Sequence, residues 1–127
     1  MTMAQTGTIV QVIGSTFDAE FPEAALPGIT HAIRVEGESP AGRIELIGEV
    51  HQHLGGGRVR CIALGATEGM TRGMTAIDTG ACVQMPVGGA VLGRVMNLLG
   101  EPIDGKGEID ADHYRPIHAP APSFEQL

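Results

Sequence analysis

An alternation of apolar and polar residues, interrupted by glycines, constrains the fold of this chain more than any other feature of its sequence. The alternation is clearest in residues 43–52, where every second position carries Ile44, Leu46, Gly48 or Val50. Three consecutive glycines follow at 55–57, and residues 58–64 resume the pattern. A period of two with one polar face is typical of an antiparallel strand. The two segments are therefore predicted to form a hairpin.

Further short strands are predicted on both sides of this hairpin. They cover residues 8–13, 17–21 and 29–35, with the last strands in 74–85, interrupted at residues 78–80. About six short strands with glycines at the corners favour closure, because a closed sheet leaves no exposed edge. The sequence thus predicts a small six-stranded closed β-barrel, and Gly48 marks a bend in its strongest strand.

The periodicity changes after Val87. Apolar residues then recur at spacings of three and four, and they are Val91, Leu92, Val95, Met96 and Leu99. Gly100 stands where a helix C-cap belongs and Pro102 follows it, so an α-helix is predicted over 91–99. The fold class is therefore mainly β: a barrel domain in residues 1–84, then residues 85–127 as the helix-containing start of a second domain.

Composition excludes several classes of function. The formal net charge is −7 and the eight basic residues are scattered, which argues against binding of nucleic acid. No apolar run is long enough for a transmembrane helix, and residues 1–8 lack the pattern of a secretory signal. Cys61 and Cys82 lie in apolar, strand-like surroundings and are interpreted as buried thiols in a reducing compartment, although two cysteines could form one disulfide. A cytoplasmic protein is the expectation.

One segment imitates a phosphate-binding loop. Residues 100–107, GEPIDGKG, match the first seven positions of the GxxxxGK motif, but Gly107 replaces the hydroxyl residue that should hold magnesium. Pro102 has no N–H to offer a phosphate, and the carboxylates of Glu101 and Asp104 would repel one. The segment is interpreted as a turn after the predicted helix.

No other residue pattern points to a catalytic or metal site. His51 and His53 would share the polar face of a strand, but no third ligand is evident. His113 and His118, with Asp110 and Asp112 nearby, have no known metal-site spacing, and the serines lack the context of a nucleophile. The chain is predicted to contain no catalytic, cofactor-binding or metal-binding residue.

Several blocks of sequence nevertheless resemble the catalytic β subunit of F-type ATP synthases, in that family's order and from Thr6 almost to the end. They read GTIVQVIG, FDAEF, LPGITHAI, GEVHQHLGGGRVRCIAL, TEGMTRGM, DTGACVQMPVG, LGRVMNLLGEPIDGKG and IHAPAPSFEQL. The HLGGGRVRCIA, TEGMTRG and LGRVMNLLGEPID blocks are the most specific. The chain departs from the family pattern at residues 15–17 and in the SPAG segment at 39–42.

The resemblance implies a six-stranded barrel that joins alternating α and β subunits in a crown, with a nucleotide-binding domain that starts near Met85. By the same resemblance the phosphate-binding loop, its lysine and the catalytic glutamate lie beyond Leu127. ATP or ADP with Mg²⁺ is implied for the full-length protein, and no cofactor for this chain. The implied partners are the α subunits and the γ central stalk. The membrane is reached only indirectly, through the ion-translocating sector, and the implied location is peripheral, at its cytoplasmic face.

The expected role of the chain by itself is assembly, and catalysis is expected of the full-length ATP synthase subunit. Three alternatives stay open at this point. The chain could be a free-standing barrel with an interaction or regulatory role, or the equivalent barrel of a related rotary or secretion ATPase. A barrel that binds nucleic acid is the weakest reading, because of the acidic charge and the small number of aromatic residues. The coupling ion, proton or sodium, is not readable from these residues.

Overall fold

The computed structural model describes residues 5–127, which contain eight β-strands and three short 3-10 turns. The strands are β1 (Gln5–Ile13), β2 (Thr16–Glu20), β3 (His31–Ser39), β4 (Gly42–Gly55), β5 (Arg58–Ala63), β6 (Thr75–Cys82), β7 (Gln84–Val87) and β8 (His113–Pro116). The 3-10 turns are Glu23–Ala25, Gly89–Val91 and Phe124–Gln126. Residues 1–4, at the start of the segment that lacks a secretory-signal pattern, lie outside the described residues.

The first six strands close into an antiparallel barrel in the order β1-β2-β5-β4-β3-β6. This confirms the predicted six-stranded barrel, and the predicted hairpin is the β4–β5 pair, in which Val50 lies opposite Cys61. Closure is made by β1 and β6, where Thr6 lies opposite Ile77 and Gly7 opposite Ala76. The barrel therefore has its seam between its first and last strands.

The interruption predicted at residues 78–80 lies within β6, which spans Thr75–Cys82. The pairing of β6 with β3 is irregular there, because the register shifts between Asp78 opposite Ile33 and Cys82 opposite His31. Gly80 has a φ of 79°, and its N–H donates to the Asp78 carboxylate over 2.9 Å. The Thr79 hydroxyl donates to the Ala32 carbonyl of β3 over 2.7 Å. These contacts hold the polar residues within the strand, and the chain leaves the barrel only after Cys82.

The barrel interior is filled by the apolar faces that the alternation predicted. Its fully buried side chains include Phe17, Ile9, Ile33, Val35, Val50, Val59 and Cys61. Gly48 sits against the Phe17 ring so closely that a Cβ there would lie 2.5 Å from two ring carbons. Gly48 thus makes room for the buried ring of Phe17.

The described chain divides into two compact units, one that ends at Cys82 and one that spans Val83–Leu127. In the second unit β7 pairs antiparallel with β8, with Met85 opposite Arg115. Within residues 5–127 there is no helix of the length and apolarity needed to span a membrane. The prediction that the second unit begins a nucleotide-binding domain stays a prediction.

The α-helix predicted over residues 91–99 is wrong: the segment holds part of one 3-10 turn, followed by turns and a bridge between Met96 and Pro102. Gly93 and Gly100 have φ values of 75° and 81°, in the left-handed region. The side-chain oxygen of Asn97 accepts hydrogen bonds from the N–H groups of Leu99 and Glu101. In an α-helix these N–H groups would bond to backbone carbonyls instead. The glycines and these acceptors outweigh an apolar spacing that otherwise suits a helix.

Candidate interaction surface

The segment between β5 and β6 forms a fixed loop at one end of the barrel. This rim loop, residues 69–74, buries Met70 and Met74 in the barrel core and exposes Thr71 and Arg72 between them. Two backbone hydrogen bonds hold it to β1, from Ile9 N–H to the Met74 carbonyl (2.9 Å) and from the Gly73 N–H to the Ile9 carbonyl (2.8 Å). The exposed part of the loop is therefore anchored at both ends.

A glycine on β3 makes this anchoring possible. A Cβ at Gly37 would lie 2.5 Å from Met74 Cγ and 2.8 Å from its sulfur. The Met74 side chain thus occupies the space directly over the β3 backbone, and any larger residue at position 37 would displace it. Gly37 and Met74 lie far apart in sequence, so residue spacing alone gave no sign of this contact.

Strand β1 is paired on both sides only over its first half. Thr8 lies opposite Thr75 of β6, and Ile9 makes the two bonds to the rim loop. From Val10 to Ile13 the backbone pairing recorded for residues 5–127 is with β2 alone. The register shifts between Ile9 and Gln11, which marks a β-bulge where the second partner is lost.

Clefts lie on the two sides of the rim loop. The larger, of about 750 Å³, is lined by Val10, Gln11, Val12, Met70, Thr71 and Arg72. The smaller, of about 320 Å³, is lined by Glu36, Gly37, Glu38, Thr71, Arg72, Gly73, Met74 and Thr75. Arg72 thus projects between an unpaired strand edge and an acidic cleft.

Cross-strand ion pairs cover the outer face of β2 and β5. Arg60 donates from two guanidinium nitrogens to the two carboxylate oxygens of Asp18, over 2.9 and 3.0 Å, and Asp18 is buried beneath it. The hydrogen bonds and the negative charge of Asp18 raise the pKa of Arg60 above its ordinary value. Arg58 and Glu20 repeat the pairing at 3.3 Å in a more exposed position. This face presents matched charges.

A second group of charged side chains lies on β3 and β4. Arg43 reaches Glu36, Glu38 and Glu45 over 3.6–3.9 Å. Arg34 Nε lies 3.0 Å from Glu36 Oε1, although the two groups are not aligned as a hydrogen bond. Exposed pairs at these distances contribute little to stability. The group instead makes this face acidic, which favours a neighbouring protein with a basic surface.

One of the histidines considered as metal ligands, His53, has another role. His53 Nε2 donates to the Pro27 carbonyl over 2.7 Å, which ties β4 to the loop before β3. His31, which the sequence did not single out, lies 3.1 Å from Asp78. In the part of the chain that the structure describes, no three His, Cys, Asp or Glu side chains are grouped to hold a metal ion.

The segment that imitates a phosphate-binding loop is folded around its own carboxylate. Asp104 accepts from Arg94 Nε (2.9 Å) and Nη2 (3.2 Å), and from the N–H groups of Val95 (3.0 Å) and Lys106 (3.1 Å). Arg94 also donates to the Gly107 carbonyl, and Lys106 Nζ donates to the Gly93 carbonyl over 3.4 Å. The donors of this segment thus already bind Asp104 or the Gly93 and Gly107 carbonyls, so its geometry is that of a closed turn and not of a phosphate-binding loop.

This turn is expected to resist acid. The hydrogen bonds from Arg94, Val95 and Lys106 hold the pKa of Asp104 well below its usual range. A carboxyl whose pKa is lowered on folding stabilises the fold above its unfolded pKa of about 3.9, and that stability is lost as pH falls through the folded pKa. The Val95 and Lys106 amide resonances should therefore stay unchanged from pH 7 to about pH 4. A transition of these resonances centred near the ordinary carboxyl value of about pH 4 in an NMR titration would contradict this assignment.

The two thiols should differ in reactivity. Burial, followed by the charge of Asp18, raises the pKa of Cys61 to about 12, whereas Cys82 is partly exposed. Because the thiolate is the reactive form, we expect Ellman's reagent at pH 8 to modify Cys82 in the native protein and Cys61 only after denaturation. Equal rates for both thiols, with Cys82→Ser as the control variant, would contradict the buried position of Cys61.

Comparison with known families bears on the barrel directly. A family model described as the ATP synthase alpha/beta family, beta-barrel domain, matches residues 9–80. The match begins within β1, ends within β6, and includes the whole rim loop and both groups of ion pairs. It covers more than half of the chain.

Proposed function

The chain belongs to the ATP synthase alpha/beta family, and from this premise we propose that it is the N-terminal part of the catalytic β subunit of an F-type ATP synthase. The observation that carries the proposal is the coincidence of the closed six-stranded barrel with the matched residues 9–80. Subunit β is proposed over subunit α because the HLGGGRVRCIA and TEGMTRG blocks resemble the β subunit.

In this proposal the barrel is the module through which neighbouring subunits associate side by side in an alternating ring. Its outer surface suits such a role, because ion pairs fix charged side chains in a defined pattern there. The Asp18–Arg60 pair joins β2 to β5, and the glutamates around Arg43 give the β3–β4 face a distinct charge. Charge patterns of this kind select partners and orient them more than they add affinity.

The remaining functions belong to the full-length protein in this proposal. They are ATP synthesis or hydrolysis with Mg²⁺, contact with the γ stalk, and coupling to an ion-translocating sector at the cytoplasmic face of the membrane. No step of that chemistry is assigned to the Arg94–Asp104 turn, because its donors already bind Asp104 and neighbouring carbonyls. We expect calorimetric titration of the chain with MgATP to show no binding, and micromolar affinity would contradict this.

Native mass spectrometry tests the proposed subunit identity. The chain is mixed in turn with an F-type α subunit and with an F-type β subunit from one bacterial enzyme. Because the subunits alternate in the proposed ring, complexes with α are expected and complexes with β are not. Preferential binding to β would show that the chain is the α-type barrel. Binding to neither would contradict the assembly role.

A further inference from the structure

The unpaired half of β1 and the rim loop border a cleft that lies along an exposed strand edge. Beyond Ile9, residues 10–13 are paired with β2 and have no second strand within the described part of the chain. A strand edge with free N–H and carbonyl groups is a template for another strand. The 750 Å³ cleft lies directly along this edge.

The length of the unpaired edge limits what can pair with it. Val10 to Ile13 spans about 13 Å at the rise of a β-strand. The edge therefore suits a short extended segment, and the cleft opens along it.

The side chains around the cleft indicate the chemistry of its occupant. Val10 offers apolar contact, Val12 is partly buried against the barrel core, and Gln11 adds an amide. Arg72 is exposed at the cleft wall, and no ion pair to it is recorded among the described residues. A cation in this position, on a loop fixed by two buried methionines, complements an acidic side chain.

The bulge at Val10 makes the edge selective. Bulges twist an edge away from indiscriminate pairing and end the ladder locally. The rim loop also stands where a longer strand would continue toward β6, because Gly73 and Met74 already bond to Ile9. A long, flat strand is thus blocked, and a short segment is admitted.

We propose that residues 10–13 and the rim loop form a β-augmentation site for a short, extended peptide segment rich in β-branched residues, with an acidic side chain that pairs with Arg72. Main-chain hydrogen bonds to β1 supply the binding, and Arg72 supplies the charge preference. This inference does not depend on whether the chain is the α-type or the β-type subunit.

Alternate N-methylation of a peptide tests the proposed backbone pairing. The probe is a capped hexapeptide that alternates valine and threonine and carries one glutamate near its centre. An added strand uses the N–H groups of only one of its edges, so methylation of alternate amides should abolish binding in one series and spare it in the other. Binding is followed by NMR shifts of the 15N-labelled chain, with the changes expected at residues 10–13 and 71–72.

The side-chain part is tested in the same titration. Arg72→Gln is expected to weaken the glutamate peptide about twofold to fivefold and to leave a glutamine version of the peptide unaffected. Arg115→Gln, a change in β8 of the second unit, is the matched control and should change nothing. Equal binding of both N-methylated series, shifts outside the cleft, or no shifts at millimolar peptide would overturn the proposal.

Discussion

Replacement of Phe17 by alanine is expected to lower the free energy of unfolding by about 3–5 kcal/mol. The Phe17 ring is 1% exposed and packs inside the barrel, where Gly48 of β4 leaves space for it. Removal of the ring leaves a cavity that a closed sheet cannot easily collapse to fill. The loss should be measured by urea denaturation, as a fall in the midpoint at constant slope.

Phe124→Ala is the control for this prediction, because Phe124 is 89% exposed. Its effect should lie within about 0.5 kcal/mol of zero. The Phe17→Leu and Gly48→Ala changes, made singly and together, provide a further check. In the double variant, leucine at position 17 should relieve the clash that the Cβ introduced at position 48 makes with the Phe17 ring. A double-mutant cycle with no coupling between positions 17 and 48 would contradict the packing described here.

The second large effect is expected at Gly57, in the turn between β4 and β5. Gly57 has a φ of 80°, and a Cβ there would lie 2.5 Å from the Phe21 carbonyl oxygen. The Phe21 N–H in turn donates to the Gly57 carbonyl over 2.8 Å, so the two backbones are held together. Gly57→Ala should therefore cost about 3 kcal/mol or more, from left-handed strain and from the backbone clash.

Gly56 provides the matched control in the same turn. Its φ is 63°, but a Cβ there would meet no atom within 4 Å. Gly56→Ala should cost about 1 kcal/mol, from the backbone conformation alone. Urea denaturation of the two variants separates the cost of backbone strain from the cost of the clash with Phe21. Equal losses of unfolding free energy would show that the contact with Phe21 is not made.

The barrel could be predicted from the sequence because its signal is local. Alternation over a few residues is enough to place Leu46, Val50, Val59 and Cys61 on one face, and all four are buried. Alternation does not show which residues lie opposite one another on paired strands, and some burial depends on that pairing. Asp18 lies in the predicted strand 17–21, but its burial depends on Arg60, which lies opposite it on another strand.

The errors have a common physical origin. The spacing of Val91, Val95 and Leu99 suits a helix, but positive φ values at neighbouring glycines and the carboxylate of Asp104 direct the backbone elsewhere. Residues 66–73 are mostly polar and lie between predicted strands, yet they contain a buried side chain, Met70. In both cases a contact between distant residues outweighs the local pattern.

Inter-strand NOEs at the barrel seam test the fold and both proposals together, because the rim loop and its cleft exist only if β1 meets β6. The structure predicts NOEs from Thr6 to Ile77 and from Gly7 to Ala76 in the whole chain. It also predicts that residues 11–13 show inter-strand NOEs to β2 and to no second strand of the described chain. An absence of NOEs between β1 and β6 would mean an open sheet and would contradict the barrel on which the assembly role and the peptide site depend.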